Sequence, residues 1–165
     1  VYHDDRGMRK YVDPRLVAWA DLIERGVDVG TINRQMYGNY PLRRFLLMRE
    51  ALGTTEFFAD GKIAVFRITA GMYEATGAKP EDSENLIDHV RAIATVVVAV
   101  LLEEEPGGIV RISLRSKDSA ILDVNRVASE FGGGGHPAAA GARVRGAMAE
   151  VQQDVIVAIG KRLKR

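Results

Sequence analysis

The stretch Phe131-Gly132-Gly133-Gly134-Gly135-His136-Pro137-Ala138-Ala139-Ala140-Gly141 places four consecutive glycines before a histidine and a run of small residues after it. Glycine loses more conformational freedom on folding than any other residue, at about 0.5–1 kcal/mol relative to alanine inside regular structure. Four in a row imply a backbone that must adopt positive φ angles or be approached closely by another group. Successive N–H groups turned inward would form an anion-binding nest. His136 adds an imidazole, which can donate a hydrogen bond and can carry positive charge. Composition alone leaves two readings open: a phosphate cradle, and a helix C-cap running into a flexible loop with a solvent-facing histidine. The three alanines and Gly141 favour the cradle, because a flexible surface loop has no reason to continue as a thin apolar segment.

Working outward, residues 124–131 read as a helix entering the glycine run, and residues 142–144 as a short strand leaving it. Residues 147–163 form a closing amphipathic helix with basic residues expected in its last turn. Upstream, residues 95–102 and 109–114 read as two strands of a hairpin. The acidic and glycine-containing stretch 103–108 is assigned to the connection between them. Residues 62–68 form a further strand after an Asp60-Gly61 turn signal. Residues 79–82 are loop and 84–93 a helix. The run 93–102, rich in valine and alanine, is the most apolar of the chain and reads as a buried strand.

The texture before residue 59 is helical. Leu16, Val17, Trp19, Ala20, Leu22 and Ile23 recur at helical spacing, with Gly26 as C-cap. Thr31 is expected to cap a second helix through Tyr37. Pro41 opens a third, whose apolar side is Phe45, Leu46, Met48 and Leu52. The fold class is therefore α/β (α+β): a helical connector followed by a mixed β-sheet flanked by helices, with domains at 1–58 and 59–165.

The bulk numbers exclude several classes. With 47% apolar and 27% charged residues, the chain of 165 residues has the balance of an ordinary globular protein. No run approaches 18 apolar residues, so no membrane span is expected. There is no cysteine, hence no disulfide framework and no thiolate metal site, which fits a cytoplasmic location. The net charge is +1, so any nucleic acid must be held by a local constellation rather than by the overall field.

The motif FGGGGHPAAAG resembles the glycine–histidine motif of the DHH-associated (DHHA-type) C-terminal domain in the DHH phosphoesterase superfamily. A second stretch, Val110-Arg111-Ile112-Ser113-Leu114-Arg115-Ser116, is similar to the strand that precedes that motif in the NrnA-type branch, the oligoribonucleases and phosphoadenosine-phosphate phosphatases. Strand, loop, helix and glycine run also follow in the family's order. Near the start, His3-Asp4-Asp5-Arg6-Gly7-Met8-Arg9 resembles the segment that closes the catalytic DHH domain, with Asp5 and Arg6 standing where the family has threonine and glycine. No Asp-His-His motif occurs in the chain.

The resemblance implies a manganese-dependent phosphoesterase acting on short RNA, phosphoadenosine phosphate or related nucleotides. This chain would supply the substrate-binding part and the missing N-terminal DHH domain the metal site. Ser113, Arg115, Ser116, Gly133, Gly134, Gly135 and His136 would contact the substrate, and Asp4 would take a metal-ligand position. Such a chain is expected to bind manganese weakly by itself and to be inactive alone. The expected partners are a nucleotide or short single-stranded RNA or DNA, the DHH domain, and a second copy in a homodimer. The alternative is a nucleic-acid-binding module without a hydrolytic role, as in the related C-terminal domain of alanyl-tRNA synthetases.

Overall fold

The computed structural model describes residues 14–163. They fall into two compact units dividing between Tyr40 and Pro41. The first holds helices α1 (Pro14–Glu24) and α2 (Val29–Tyr37). Gly26 follows α1 with φ +84°, the left-handed conformation expected of a C-terminal glycine. The cap of α2 differs from expectation: Asp28 takes the role assigned to Thr31. Its carboxylate accepts the Thr31 N–H at 3.0 Å and the Thr31 hydroxyl at 2.5 Å. A carboxylate there meets orphan N–H groups at the positive end of the helix dipole, and the Thr31 hydroxyl holds it below its ordinary pKa.

The second unit begins with α3 (Leu42–Gly53) and is organised around a six-stranded sheet. Its strands are β1 (Glu56–Phe58), β2 (Ile63–Ile68), β3 (Val98–Glu105), β4 (Ile109–Ser116), β5 (Gly134–His136) and β6 (Ala139–Arg145), in the order β1-β2-β3-β4-β6-β5. Only β2 and β3 run parallel; the other neighbours are antiparallel. The β2–β3 crossover carries α4 (Ala70–Thr76), a 3₁₀ turn at Pro80–Ser83 and α5 (Leu86–Arg91). Helix α6 (Val124–Glu130) precedes β5, and α7 (Met148–Gly160) closes the chain. This is the mixed sheet with flanking helices that the sequence implied.

Burial explains why one part of the sheet is left open. Strands β2 and β3 are buried on both faces and accordingly read as continuous apolar runs. One core joins Val65, Val100, Ile112 and Leu114 to Val124 and Val127 of α6 and Val155 and Ile159 of α7. A second core, on the opposite face, joins Leu47 and Ala51 of α3 to Phe66, Leu86, Val90 and Leu101. Among the described residues that second core draws nothing from β4, β5 or β6. In β4 the burial alternates strictly, the even-numbered positions buried and the odd ones half-buried. Residues 109, 111, 113 and 115 therefore face away from the first core, on a side that the helices cover only in part.

Several local expectations give way to tertiary contacts. The acidic run lies in strand β3, and the turn takes only residues 106–108, with Gly107 and Gly108 at φ +82° and +71°. Glu103 can be buried because Arg111 lies directly opposite and pairs with it. Strand β3 starts at Val98, after a turn, not at residue 95. Helix α3 packs Met48 and Leu52 against the core as expected, but it also buries Leu47 and Ala51 and leaves Phe45 54% exposed, and it belongs to the same unit as the sheet. Phe57 of β1 is 51% exposed. Strand β1 and helix α4 were not expected. Both are too short to show a clear period. Helix α7 ends at Gly160, so Lys161 and Arg162 follow its last turn. Arg162 instead pairs with Glu130 of α6. Asp4 and the side chain of Trp19 lie outside the described residues.

Candidate functional site

The register of three strands assembles the site. Arg115 of β4 pairs with Ala139 of β6, which pairs with His136 of β5. One step along, Ser113 pairs with Gly141, which pairs with Gly134. Residues directly opposite one another project to the same face of a sheet. Arg115 and His136 therefore stand as two walls, about 10 Å apart across two strand spacings. Between them the floor carries only the Ala139 methyl group, and beside it Gly141. The small residues after the histidine thus keep the middle strand low between two polar side chains.

Each wall is held locally. His136 is exposed, and its Nδ1 accepts the Ala138 N–H at 3.2 Å. That bond puts the proton of the neutral imidazole on Nε2, as an outward donor. Arg115 gives one N–H to its neighbour's carbonyl, Leu114 O, at 3.1 Å. The nearby carboxylates Asp118 and Asp123 are engaged elsewhere. Asp123 caps α6 through the N–H groups of Asn125 and Arg126 and pairs with Arg126 at 3.4 Å, while Asp118 accepts the Ala120 N–H at 2.8 Å.

The glycine run is ordered differently from the expected nest. The Gly133 N–H donates to Ala128 O at 3.0 Å, and the Gly135 N–H to Asn125 Oδ1 at 2.8 Å. Two of the three amides assigned to an anion are thus engaged within the protein. Glycine is needed for a different reason: closeness to β6. A Cβ on Gly133 would lie 2.1 Å from Gly141 O. Ser116 also departs from expectation. It is 1% exposed on the opposite face of β4, and its hydroxyl donates to Asp118 O at 2.9 Å. Ser113, Arg115 and His136 share the open face; Ser116 does not.

An ionic row borders this face. Arg111 pairs with Glu103, and its Nε lies 3.6 Å from Glu105, which accepts two bonds from Arg143 at 2.8 and 3.0 Å. The Arg143 hydrogen bonds hold the Glu105 carboxyl below its ordinary pKa. Buried Glu103 also accepts from the Tyr73 hydroxyl and, at 3.3 and 3.4 Å, from Ser83. Burial, followed by this carboxylate contact, pushes the Tyr73 hydroxyl pKa well up. Sequence reading missed this network because its members come from α4, the 3₁₀ turn, β3, β4 and β6. Among the described residues no three His, Cys, Asp or Glu side chains are grouped as a metal would require, so the described part does not fit a manganese ion. None of their helices is long and apolar enough to cross a membrane.

A strand carrying Ser-Leu-Arg, a helix, and a glycine–histidine edge strand folded onto it define the class. The sequence profile of the DHHA1 domain matches residues 60–165, and the chain belongs to that domain family, as the two motifs implied. It is 31% identical over 147 residues to the bifunctional oligoribonuclease and PAP phosphatase NrnA of Thermus thermophilus, covering 88% of this chain and 43% of that protein. The crystal structure of an exopolyphosphatase-related protein from Bacteroides fragilis matches with a TM-score of 0.83 and 28% identity, over 92% of this chain and 44% of that one. The chain thus spans less than half the length of these relatives. The C-Ala domain of Aquifex aeolicus alanyl-tRNA synthetase matches at a TM-score of 0.43 and 16% identity, over 61% of this chain and 96% of that one, too slight a likeness to carry the binding-module alternative.

Proposed function

We propose that this chain is the substrate-gripping part of a DHH-type phosphoesterase that hydrolyses short RNA, phosphoadenosine phosphate or a related nucleotide. The observation that carries the reading is the row Arg115–Ala139–His136, two nitrogen donors facing each other over a floor without bulk. A planar guanidinium grips phosphate oxygens in two places. The imidazole Nε2–H supplies a third donor from the other wall, and Ser113 adds a hydroxyl one step along the strand. The low floor lets the ribose or base lie against β6. These residues bind and orient the nucleotide. Manganese would supply the activation of water in the family's chemistry, and the described residues hold no set of ligands for it.

The test is an NMR titration of the chain with adenosine 5′-monophosphate and a short RNA, in the absence of metal. Shifts should concentrate at Ser113, Arg115 and residues 134–136. Arg115→Ala should weaken binding by about tenfold to a hundredfold, the worth of one charge-assisted hydrogen bond. Saturation with shifts confined to another surface, or no binding at millimolar nucleotide, would overturn the assignment.

A further inference from the structure

His136 sits on a three-residue edge strand, yet hydrogen bonds to one helix end hold the backbone on both sides of it. Before it, the Gly135 N–H donates to Asn125 Oδ1 at 2.8 Å. After it, Pro137 O accepts the Val124 N–H at 2.9 Å. Both partners come from the first two residues of α6. That end is itself fixed: Asp123 accepts the Asn125 N–H at 2.9 Å, Ser129 Oγ donates to Asn125 O at 2.8 Å, and Val124 and Val127 are fully buried. The Val124 contact is main chain and survives substitution. The Asn125 contact depends on one side chain. An apolar group in place of that amide oxygen would leave the exposed Gly135 N–H to water and remove its tie to α6.

We propose that Asn125 is a positioning residue for His136, acting through the Gly135 amide to fix the direction and tautomer of the imidazole across Ala139 from Arg115. The inference rests on the nucleotide-binding reading of that face, and its structural half can be tested without ligand. With β5 held, the Ala138 N–H stays on Nδ1 and the outward nitrogen is Nε2–H. With β5 released, His136 samples both tautomers and turns away from the facing arginine.

The experiment compares the wild-type chain with Asn125→Ala, Asn125→Asp and His136→Ala. Imidazole ¹⁵N shifts and exchange of the Gly135 amide are read first, without ligand. Asn125→Ala should mix the tautomers and speed Gly135 exchange by about tenfold or more. Asn125→Asp, which keeps an acceptor oxygen in place, should retain the slow exchange. Titration with adenosine 5′-monophosphate then tests the coupling. Asn125→Ala should weaken binding by about tenfold in the wild-type background and by nothing further in the His136→Ala background, the signature of action through one residue. Unchanged imidazole shifts in Asn125→Ala, or additive losses in the double variant, would overturn the proposal. If the wild-type chain fails to bind the mononucleotide, the proposed function falls, while the imidazole and amide readouts still decide the role of Asn125.

Discussion

Substituting the glycines one at a time separates the close-approach account of this motif from a flexible-loop account. A Cβ built on Gly133 lies 2.1 Å from Gly141 O, 2.6 Å from Ala142 Cβ and 2.7 Å from Ala142 Cα. One built on Gly135 lies 2.6 Å from Ala139 O and 2.7 Å from Ala140 Cα, at a φ of +154°. The atoms met are mostly main chain of β6, which β4 holds from the other side, so they cannot yield as a flexible side chain would. One built on Gly134 meets only Asn125 Oδ1, at 3.5 Å, an ordinary contact. Overpacking of the Gly133 kind costs about 1–3 kcal/mol. Displacing the segment also breaks its hydrogen bond to Ala128, at about 1 kcal/mol. Gly133→Ala should therefore cost about 3 kcal/mol in urea unfolding, or about 9 °C in Tm for a chain of this length. Gly135→Ala should behave similarly. Gly134→Ala should fall within about 0.5 kcal/mol of wild type, because the lost freedom of the unfolded chain offsets any small contact. Equal effects at Gly133 and Gly134, or wild-type stability in both Gly133→Ala and Gly135→Ala, would refute the close-approach account.

Three further outcomes follow from the same contacts. Tyr73→Phe should lower stability by about 1–2 kcal/mol in urea unfolding, since it removes a donor to the buried Glu103 carboxylate. Ser116→Ala should reduce stability but leave mononucleotide affinity unchanged, whereas Ser113→Ala should do the opposite; titration and melting of both variants check this. Acid should destabilise the second unit. The Glu105 carboxyl is depressed by Arg143; at Asp82, burial alone would raise the pKa, but the Lys79 N–H and Arg43 outweigh it and hold it low. A depressed carboxylate contributes stability that is complete above its unfolded pKa, about 4, and lost as pH falls through the folded value. Urea midpoints should hold from pH 7 to about 5 and drop below about 4, with a smaller drop in Asp82→Asn.

The sequence by itself determined the family, the class of fold and most of the regular elements around the motif. Those features are local or repeat at short range. Apolar residues at helical spacing, the Val-Arg-Ile-Ser-Leu-Arg alternation of β4 and four adjacent glycines are visible without knowing what each meets. The small residues after His136 already indicated a thin segment there. Only the tertiary structure decided which strand lies next to which. It is the β4–β6–β5 register that brings Arg115 and His136 onto one face and sends Ser116 to the other. The acidic run entered a strand because Arg111 of β4 came to lie opposite Glu103 and Arg143 of β6 reached Glu105 from beyond β4, the second a pairing between segments far apart in the chain. The glycine amides turned to Ala128 and Asn125 because α6 packs beside the edge strand, a contact that chain composition cannot specify. Short-range pattern records which residues a segment needs; hydrogen-bond partners and sheet faces depend on segments far away in the chain.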